Sequence, residues 1–146
     1  MTIRRLDHVS VVVEDLDAAE RFFTALGMTV EGRAPIAGAF VDRLNAIDGV
    51  KIDIVMMRTP DGHGRLELTK FHQPSLVTLE PAVAPPNAAG LRSVMFAVDD
   101  LDDTLDRLRA LGGALVGEVV TYEQQYKLCY VRGPAGIIVA LAEEMA

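Results

Sequence analysis

The feature that most constrains the fold of this chain is an internal repeat. Residues 9–32 align without a gap with residues 94–117 when the chain is shifted by 85 positions. The repeat matches capping, turn and core positions together, which indicates a duplicated supersecondary unit. The identical pairs are Val9/Val94, Val13/Val98, Asp15/Asp100, Leu16/Leu101, Asp17/Asp102, Ala25/Ala110, Leu26/Leu111, Gly27/Gly112 and Gly32/Gly117.

Each copy contains the same order of elements. Runs rich in β-branched residues predict a first strand at 5–13 and at 91–98. Helices are expected at about 17–26 and 102–111, each after an aspartate that can accept from free N–H groups of the first turn. Those aspartates are Asp15 or Asp17, and Asp100 or Asp102. A short strand, near 28–31 and 114–120, and a β-hairpin complete each copy. The predicted fold class is therefore α+β, with two tandem βαβββ modules.

The chain is expected to form one domain built from both modules. Module one covers about 5–71 and module two about 91–144, and a proline-rich tether at about 72–90 separates them. The insertion "GAFVDRLNAIDG" in module one is predicted to hold a short helix. Because a sheet covered by helices on one face leaves the other face bare, two modules are expected to enclose a central cavity, either within one chain or swapped between chains. Small molecules bind preferentially in such concave spaces.

Composition limits the partners of the chain. The net charge is −7, from 21 acidic and 14 basic residues, so the electrostatic footprint of a nucleic-acid-binding protein is missing. No apolar run reaches the roughly 18 residues that a membrane-spanning helix needs. The single cysteine, Cys129, cannot form an internal disulfide, as is typical of proteins in a reducing cytoplasm. We therefore expect a cytoplasmic protein that binds neither nucleic acid nor membrane.

Two stretches of module one resemble a known superfamily. The segments "DHVSVVVEDLDAAERFFTALG" and "PDGHGRLEL" are similar to the vicinal oxygen chelate (VOC) superfamily, which includes glyoxalases, bleomycin resistance proteins and extradiol dioxygenases. The resemblance implies a curved mixed sheet around a central cavity and a small-molecule ligand. A homodimer is also expected.

The resemblance also implies where a metal would bind. Superfamily members that use a metal draw ligands from the first and last strands of each module. His8 and Glu67 occupy these places in module one, whereas Ser93 and Ala140 occupy them in module two. The expectation is one divalent ion (zinc, nickel, manganese or iron), or no metal because two of the four usual ligands are replaced.

Glu67 is the candidate catalytic residue. It lies between Leu66 and Leu68, so it faces the cavity if those leucines face the helix. A carboxylate in an apolar cavity is suited to act as a general base. His8 has two open interpretations, a metal ligand or a polar residue hydrogen-bonded near a strand end.

Three residues of module two are candidate substrate-binding residues. Ser93 and Met95 alternate onto the face expected to line the cavity. Cys129 is placed opposite Ala140 if "GPAG" forms a four-residue turn, which would put its thiol on the same face.

Two classes of function remain open. The first is a metal-assisted, glyoxalase-like lyase or isomerase that acts on a small oxygenated molecule, with Glu67 moving a proton. The second is a metal-free protein of the bleomycin-resistance type that binds or sequesters a small molecule. Two ligands per chain are too few for a catalytic ion. If the first modules of two chains paired, they would supply four ligands and bind about one metal per two chains.

Overall fold

The computed structural model describes residues 2–145. In this part of the chain three α-helices, one 3-10 turn and two mixed sheets form an α+β fold, which confirms the predicted class. The chain divides into two compact units, Met1–Thr78 and Leu79–Ala146, and each unit contains one sheet. Within residues 2–145, no helix is both long and apolar enough to cross a lipid bilayer.

Module one has the predicted element order, with the helix of the insertion added. Its elements are β1 (Val9–Val12), α1 (Leu16–Leu26), β2 (Thr29–Ala37), α2 (Ala39–Asn45), β3 (Lys51–Arg58) and β4 (Arg65–Gln73). The strands form sheet one in the order β1-β4-β3-β2, with β1 parallel to β4 and the other pairs antiparallel.

Helix α1 covers one face of sheet one. Asp15 caps the helix by accepting a hydrogen bond from the backbone N–H of Ala18 at 2.9 Å, and Gly27 ends it with a φ of 123°. The helix packs against β2, β3 and β4. The buried residues of this interface are Ala19, Phe22, Phe23 and Leu26 on α1 and Val11, Val55, Met57, Leu66 and Leu68 on the strands. We call the covered side the helix face of sheet one and the other side its site face.

Helix α2 packs on one end of the site face. Val41 is buried against Val50 and Ile52. The two carboxylate oxygens of Asp42 accept hydrogen bonds from the backbone N–H groups of Val50 and Gly49, at 2.8 and 2.9 Å. These bonds join the helix to the start of β3, so the insertion is a fixed part of module one.

Strand β2 is longer than the predicted short strand at 28–31. It continues to Ala37 although Pro35 lies inside it. Because β2 is the end strand of sheet one, Pro35 interrupts no ladder on its outer side. The pairing with β3 shifts between Val30 and Gly32, which leaves Glu31 in a β-bulge.

Module two repeats this plan around its own sheet. Its elements are β5 (Ser93–Ala97), α3 (Leu101–Arg109), β6 (Ala114–Leu115), β7 (Val120–Tyr122), β8 (Tyr126–Arg132) and β9 (Ile138–Glu144). The order is β5-β9-β8-β6, and β7 also pairs with β8. Residues 114–122, which the 85-residue shift aligns with β2, therefore form two short strands instead of one. Asp100 caps α3 by accepting from the N–H of Asp103 at 3.0 Å.

The predicted pairing of Cys129 with Ala140 is wrong. Cys129 pairs with Leu141, and Tyr130 pairs with Ala140. The connection between β8 and β9 contains five residues, 133–137, instead of the four of "GPAG". A change of one residue in register moves every side chain of a strand to the other face.

Cys129 therefore lies on the face of sheet two, the sheet of module two, that α3 covers, and Ser93 and Met95 lie on the opposite face. On the same side of β8, Lys127 donates to Asp102 of α3 at 2.6 Å, which identifies the face. Cys129 is 3% exposed, and burial raises the pKa of its thiol. The geometric basis for a substrate-binding role of Cys129 is thereby removed.

Part of the tether is held against module two. His72 belongs to β4, and residues 74–90 contain no helix or strand. The Nη1 group of Arg132 donates to the carbonyl oxygens of Ala84 and Gly136, at 2.8 and 2.9 Å. A Cβ atom at Gly136 would lie 2.8 Å from the carbonyl oxygen of Ala82. The tether and the β8–β9 turn therefore pack closely.

We expect Gly136→Ala to lower the free energy of unfolding by about 1 to 3 kcal/mol. Gly136 has a φ of 75°, which strains any residue with a Cβ, and the added methyl group would contact backbone. Gly117→Ala is the matched control, because nothing lies within 4 Å of its added Cβ. Urea unfolding of both variants measures the difference. Equal stabilities of the two variants would contradict the close contact between Gly136 and the backbone of Ala82.

Candidate functional site

A polar cluster lies on the site face of sheet one. In the parallel ladder of β1 and β4, Ser10 is opposite Glu67. Leu66 and Leu68 are buried on the helix face, so Glu67 points to the other side of the sheet. The predicted orientation of Glu67 relative to its two leucine neighbours is confirmed.

Two hydroxyl groups hold one oxygen of the Glu67 carboxylate. Oε1 accepts from Ser10 Oγ at 3.3 Å and from Thr69 Oγ1 at 3.1 Å. Thr69 is only 4% exposed, whereas the Glu67 side chain is 23% exposed. The second oxygen, Oε2, takes no part in these two bonds and lies nearer His8. The carboxylate is thus fixed at one oxygen and reachable from solvent.

His8 faces the second oxygen of Glu67. Its Nε2 atom is 3.6 Å from Oε2, and its side chain is 30% exposed. This separation is too long for a direct hydrogen bond. A neutral imidazole nitrogen without hydrogen and a carboxylate oxygen are both acceptors. Two proton-accepting atoms therefore lie side by side on the site face, on side chains that are both partly exposed.

Asp7 determines which nitrogen of His8 carries the hydrogen. Its Oδ2 atom lies 2.8 Å from His8 Nδ1. The hydrogen bond from His8, followed by that from Arg5, lowers the pKa of Asp7 to about 2, so its carboxylate is ionised near neutral pH. An ionised carboxylate only accepts, so Nδ1 donates and the Nε2 lone pair of the neutral ring is directed at Glu67. Asp7 was not among the residues predicted from the sequence, although the dipeptide "DH" directly before β1 was an available signal.

Module two has different residues at the equivalent places. Met95 stands where module one has Ser10, and it pairs with Ala140, which stands where module one has Glu67. Tyr130 pairs with Ala140 from the other side. Ala140 is completely buried, whereas Met95 is 54% and Tyr130 41% exposed. The residues of sheet two that correspond to Ser10 and Glu67 are therefore apolar, and an aromatic side chain lies beside them.

Ser93 corresponds to His8 and is exposed, on the same face of β5 as Met95. The structure thus brings together His8 and Glu67 in module one, and Ser93 and Met95 in module two. Their roles in binding or catalysis stay predictions.

The donor groups of the chain do not complete a metal site of the superfamily type. His8 and Glu67 are two donors, and a catalytic zinc usually takes three protein ligands. Across residues 2–145, no group of three or more His, Cys, Asp or Glu side chains is placed to hold an ion. Ser93 and Ala140 supply a weak ligand and none at the two other family places. The residues present therefore do not fit the four-ligand metal site of the superfamily.

Comparison with known proteins agrees with this architecture. The family model described as Glyoxalase/Bleomycin resistance protein/Dioxygenase superfamily matches residues 5–141. The chain belongs to this superfamily. No curated protein matches the sequence.

Solved structures show the same fold. A glyoxalase family protein from Bacillus cereus is 45% identical, with a TM-score of 0.95, over 100% of this chain and 97% of that chain. A glyoxalase family protein from Enterococcus faecalis is 18% identical, with a TM-score of 0.66, over 98% and 100% of the two chains. An antibiotic binding protein from a Streptomyces species is 19% identical, with a TM-score of 0.62, over 99% of each chain. The last two share the fold alone.

Proposed function

We propose that this protein is an isomerase of small α-hydroxycarbonyl compounds, with Glu67 and His8 as its catalytic residues. One observation carries the proposal: Nε2 of His8 and Oε2 of Glu67 face each other at 3.6 Å on the site face. Both atoms can accept a proton, and both side chains are partly exposed. A substrate that carries a hydroxyl group and a C–H bond on the same carbon would present one proton to each.

The proposed reaction moves two protons within the substrate. Glu67 takes the proton of the hydroxyl-bearing carbon, the C–H electron pair forms a C=C bond, and the carbonyl electron pair moves to the carbonyl oxygen. His8 takes the hydroxyl proton and delivers it to that oxygen. When the new carbonyl forms, the C=C electrons take the proton back from Glu67 at the neighbouring carbon. The substrate is isomerised, and both residues return to their starting states.

The environment of Glu67 supports its role as the base. Ser10 and Thr69 bind only Oε1, so Oε2 is the oxygen directed at a substrate. A carboxylate fixed in this way does not have to reorient when the proton is transferred. Asp7 in turn keeps the Nε2 lone pair of His8 on the same side.

A second candidate is a metal-free protein that binds a small apolar molecule. The exposed Met95 and Tyr130 on either side of the buried Ala140 favour it, because a thioether and an aromatic ring make adaptable contacts with apolar ligands. The antibiotic binding protein from Streptomyces is consistent with this use of the fold.

Proton exchange in D₂O tests the proposal against the alternative. We expect the protein to catalyse exchange of the CH₂OH protons of hydroxyacetone, or its isomerisation to 2-hydroxypropanal, as followed by ¹H NMR. Dihydroxyacetone is the second probe. Absence of exchange and of isomerisation with both compounds at saturating concentration would contradict the isomerase.

The divalent ion, the homodimer and the cytoplasmic location predicted from the sequence remain separate proposals. If the first modules of two chains pair, zinc, nickel, manganese or iron would raise the melting temperature, and His8→Ala would abolish the rise. Metal analysis of the loaded protein is then expected to give one ion per two chains. A content of zero or of one ion per chain would contradict that pairing.

A further inference from the structure

A network of charged side chains links the bulge in β2 to His8. Glu31, the bulged residue, binds Arg65 of β4 through two parallel hydrogen bonds, Nε to Oε2 at 3.1 Å and Nη2 to Oε1 at 2.6 Å. A β-bulge re-aims the side chain of its extra residue. Planar pairing of this kind fixes the direction of the guanidinium group as well as its position.

The remaining nitrogen of Arg65 binds the carboxylate that contacts His8. Nη1 donates to Asp7 Oδ2 at 2.9 Å, and the same oxygen lies 2.8 Å from His8 Nδ1. Arg5 donates to Oδ1, through Nη2 at 2.8 Å and Nε at 3.2 Å. Both oxygens of Asp7 are therefore held, so its carboxylate has one orientation relative to the imidazole ring.

The hydrogen bonds between Glu31 and Arg65 favour the ionised form of both side chains. The hydrogen bond with Arg65 lowers the pKa of Glu31, and the hydrogen bond with Glu31 raises the pKa of Arg65. The Arg65 side chain is only 22% exposed, and both of its partners, Asp7 and Glu31, are acidic. Because Glu31 holds the guanidinium group of Arg65 in place, Arg65 in turn orients the carboxylate of Asp7.

We infer that Asp7, Arg65 and Glu31 are positioning residues, which fix the tautomer of His8 and the direction of its Nε2 lone pair. The inference rests on the proposed function, because it assumes that His8, the residue they orient, is catalytic. None of the three replaces Glu67 as the base. Their joint effect is that Nδ1 of His8 carries the hydrogen and Nε2 accepts.

A second histidine of the protein, His72, provides an internal reference for this tautomer. His72 contacts Asp53 Oδ2 through the other ring nitrogen, Nε2, at 2.8 Å. A carboxylate contact at Nε2 favours the hydrogen on Nε2. The two histidines are therefore expected to show opposite tautomers in one spectrum.

Two-bond ¹H–¹⁵N correlation spectra of the full chain, recorded at a pH where the rings are neutral, test the inference. In the wild-type protein we expect His8 to carry its hydrogen on Nδ1. Asp7→Ala is expected to change the ratio of the two tautomers by about tenfold or more towards Nε2–H, because it removes a charge-assisted hydrogen bond. Asp7→Asn is expected to retain the wild-type tautomer, because the amide oxygen can accept in place of Oδ2.

Glu31→Gln tests the end of the side-chain network that is farthest from His8. It should shift the His8 tautomers in the same direction as Asp7→Ala but less. Its matched control is Glu20→Gln, which cuts a similar two-bond pair with Arg33, at 3.1 and 2.7 Å, without contacting Asp7. Backbone amide spectra verify that each variant is folded, and Glu31→Gln carries the test if Asp7→Ala is not.

The outcomes separate the two proposals. An unchanged His8 spectrum in folded Asp7→Ala would overturn the inference, as would equal shifts in Glu31→Gln and Glu20→Gln. If the tautomers shift as expected while the wild-type protein exchanges no proton of hydroxyacetone, the positioning role stands and the proposed isomerase fails.

Discussion

Glu67→Gln is expected to reduce the proton exchange of hydroxyacetone by about 10²- to 10⁴-fold, the contribution of a positioned general base. The amide cannot take a proton from carbon. Its oxygen can still accept from Ser10 and Thr69, so the fold of the site face is expected to remain. Initial rates in D₂O with saturating substrate, together with thermal unfolding, measure the two effects separately.

Glu144→Gln is the control for this substitution. Glu144 is an exposed carboxylate at the end of β9, so its replacement changes the net charge equally without contacting the polar cluster. We expect wild-type exchange from this variant. Retention of more than a tenth of the activity in Glu67→Gln would remove Glu67 as the base.

Phe23→Ala should lower the free energy of unfolding by about 3 to 5 kcal/mol. Phe23 is completely buried, and its ring meets that of Phe22 edge to face, with centroids 5.3 Å apart. Truncation removes the transfer free energy of the ring and leaves a cavity between α1 and sheet one. Since α1 supports the face of the sheet opposite Glu67, loss of this contact weakens the scaffold of the site. Urea unfolding followed by circular dichroism measures the change.

An exposed phenylalanine of module one provides the comparison. Phe40 on α2 is 76% exposed, so Phe40→Ala is expected to change the stability by no more than about 0.5 kcal/mol. A similar loss in both variants would mean that α1 does not bury the ring of Phe23 in solution.

Much of the fold was predictable because local signals and the repeat agreed. The sequence offered Asp15 or Asp17 and Asp100 or Asp102 as helix caps, and Asp15 and Asp100 are the two that bind the backbone of the first helical turn. The alternation around Glu67 identified its face from two leucines alone. These features depend on neighbours in sequence, so the sequence carries them directly.

The errors concern features that depend on one residue of register or on the place of a strand in its sheet. The β8–β9 turn includes Ile137, with Ala135 at a φ of 57° and Gly136 at 75°, and "GPAG" does not indicate this extra residue. The length of β2 depends on its place at the end of sheet one, where Pro35 is tolerated. The links from Arg65 to Asp7 and Glu31 join residues 58 and 34 positions apart, so no local pattern predicts them.

The bulge at Glu31 and the proline at position 35 also affect how β2 behaves towards other chains. An uninterrupted end strand offers a regular series of N–H and C=O groups that can template the addition of a foreign strand. Pro35 has no N–H group, and the extra residue at Glu31 breaks the spacing of the others. The irregularity that turns Glu31 towards Arg65 thus also makes this border of the sheet a poor seed for aggregation.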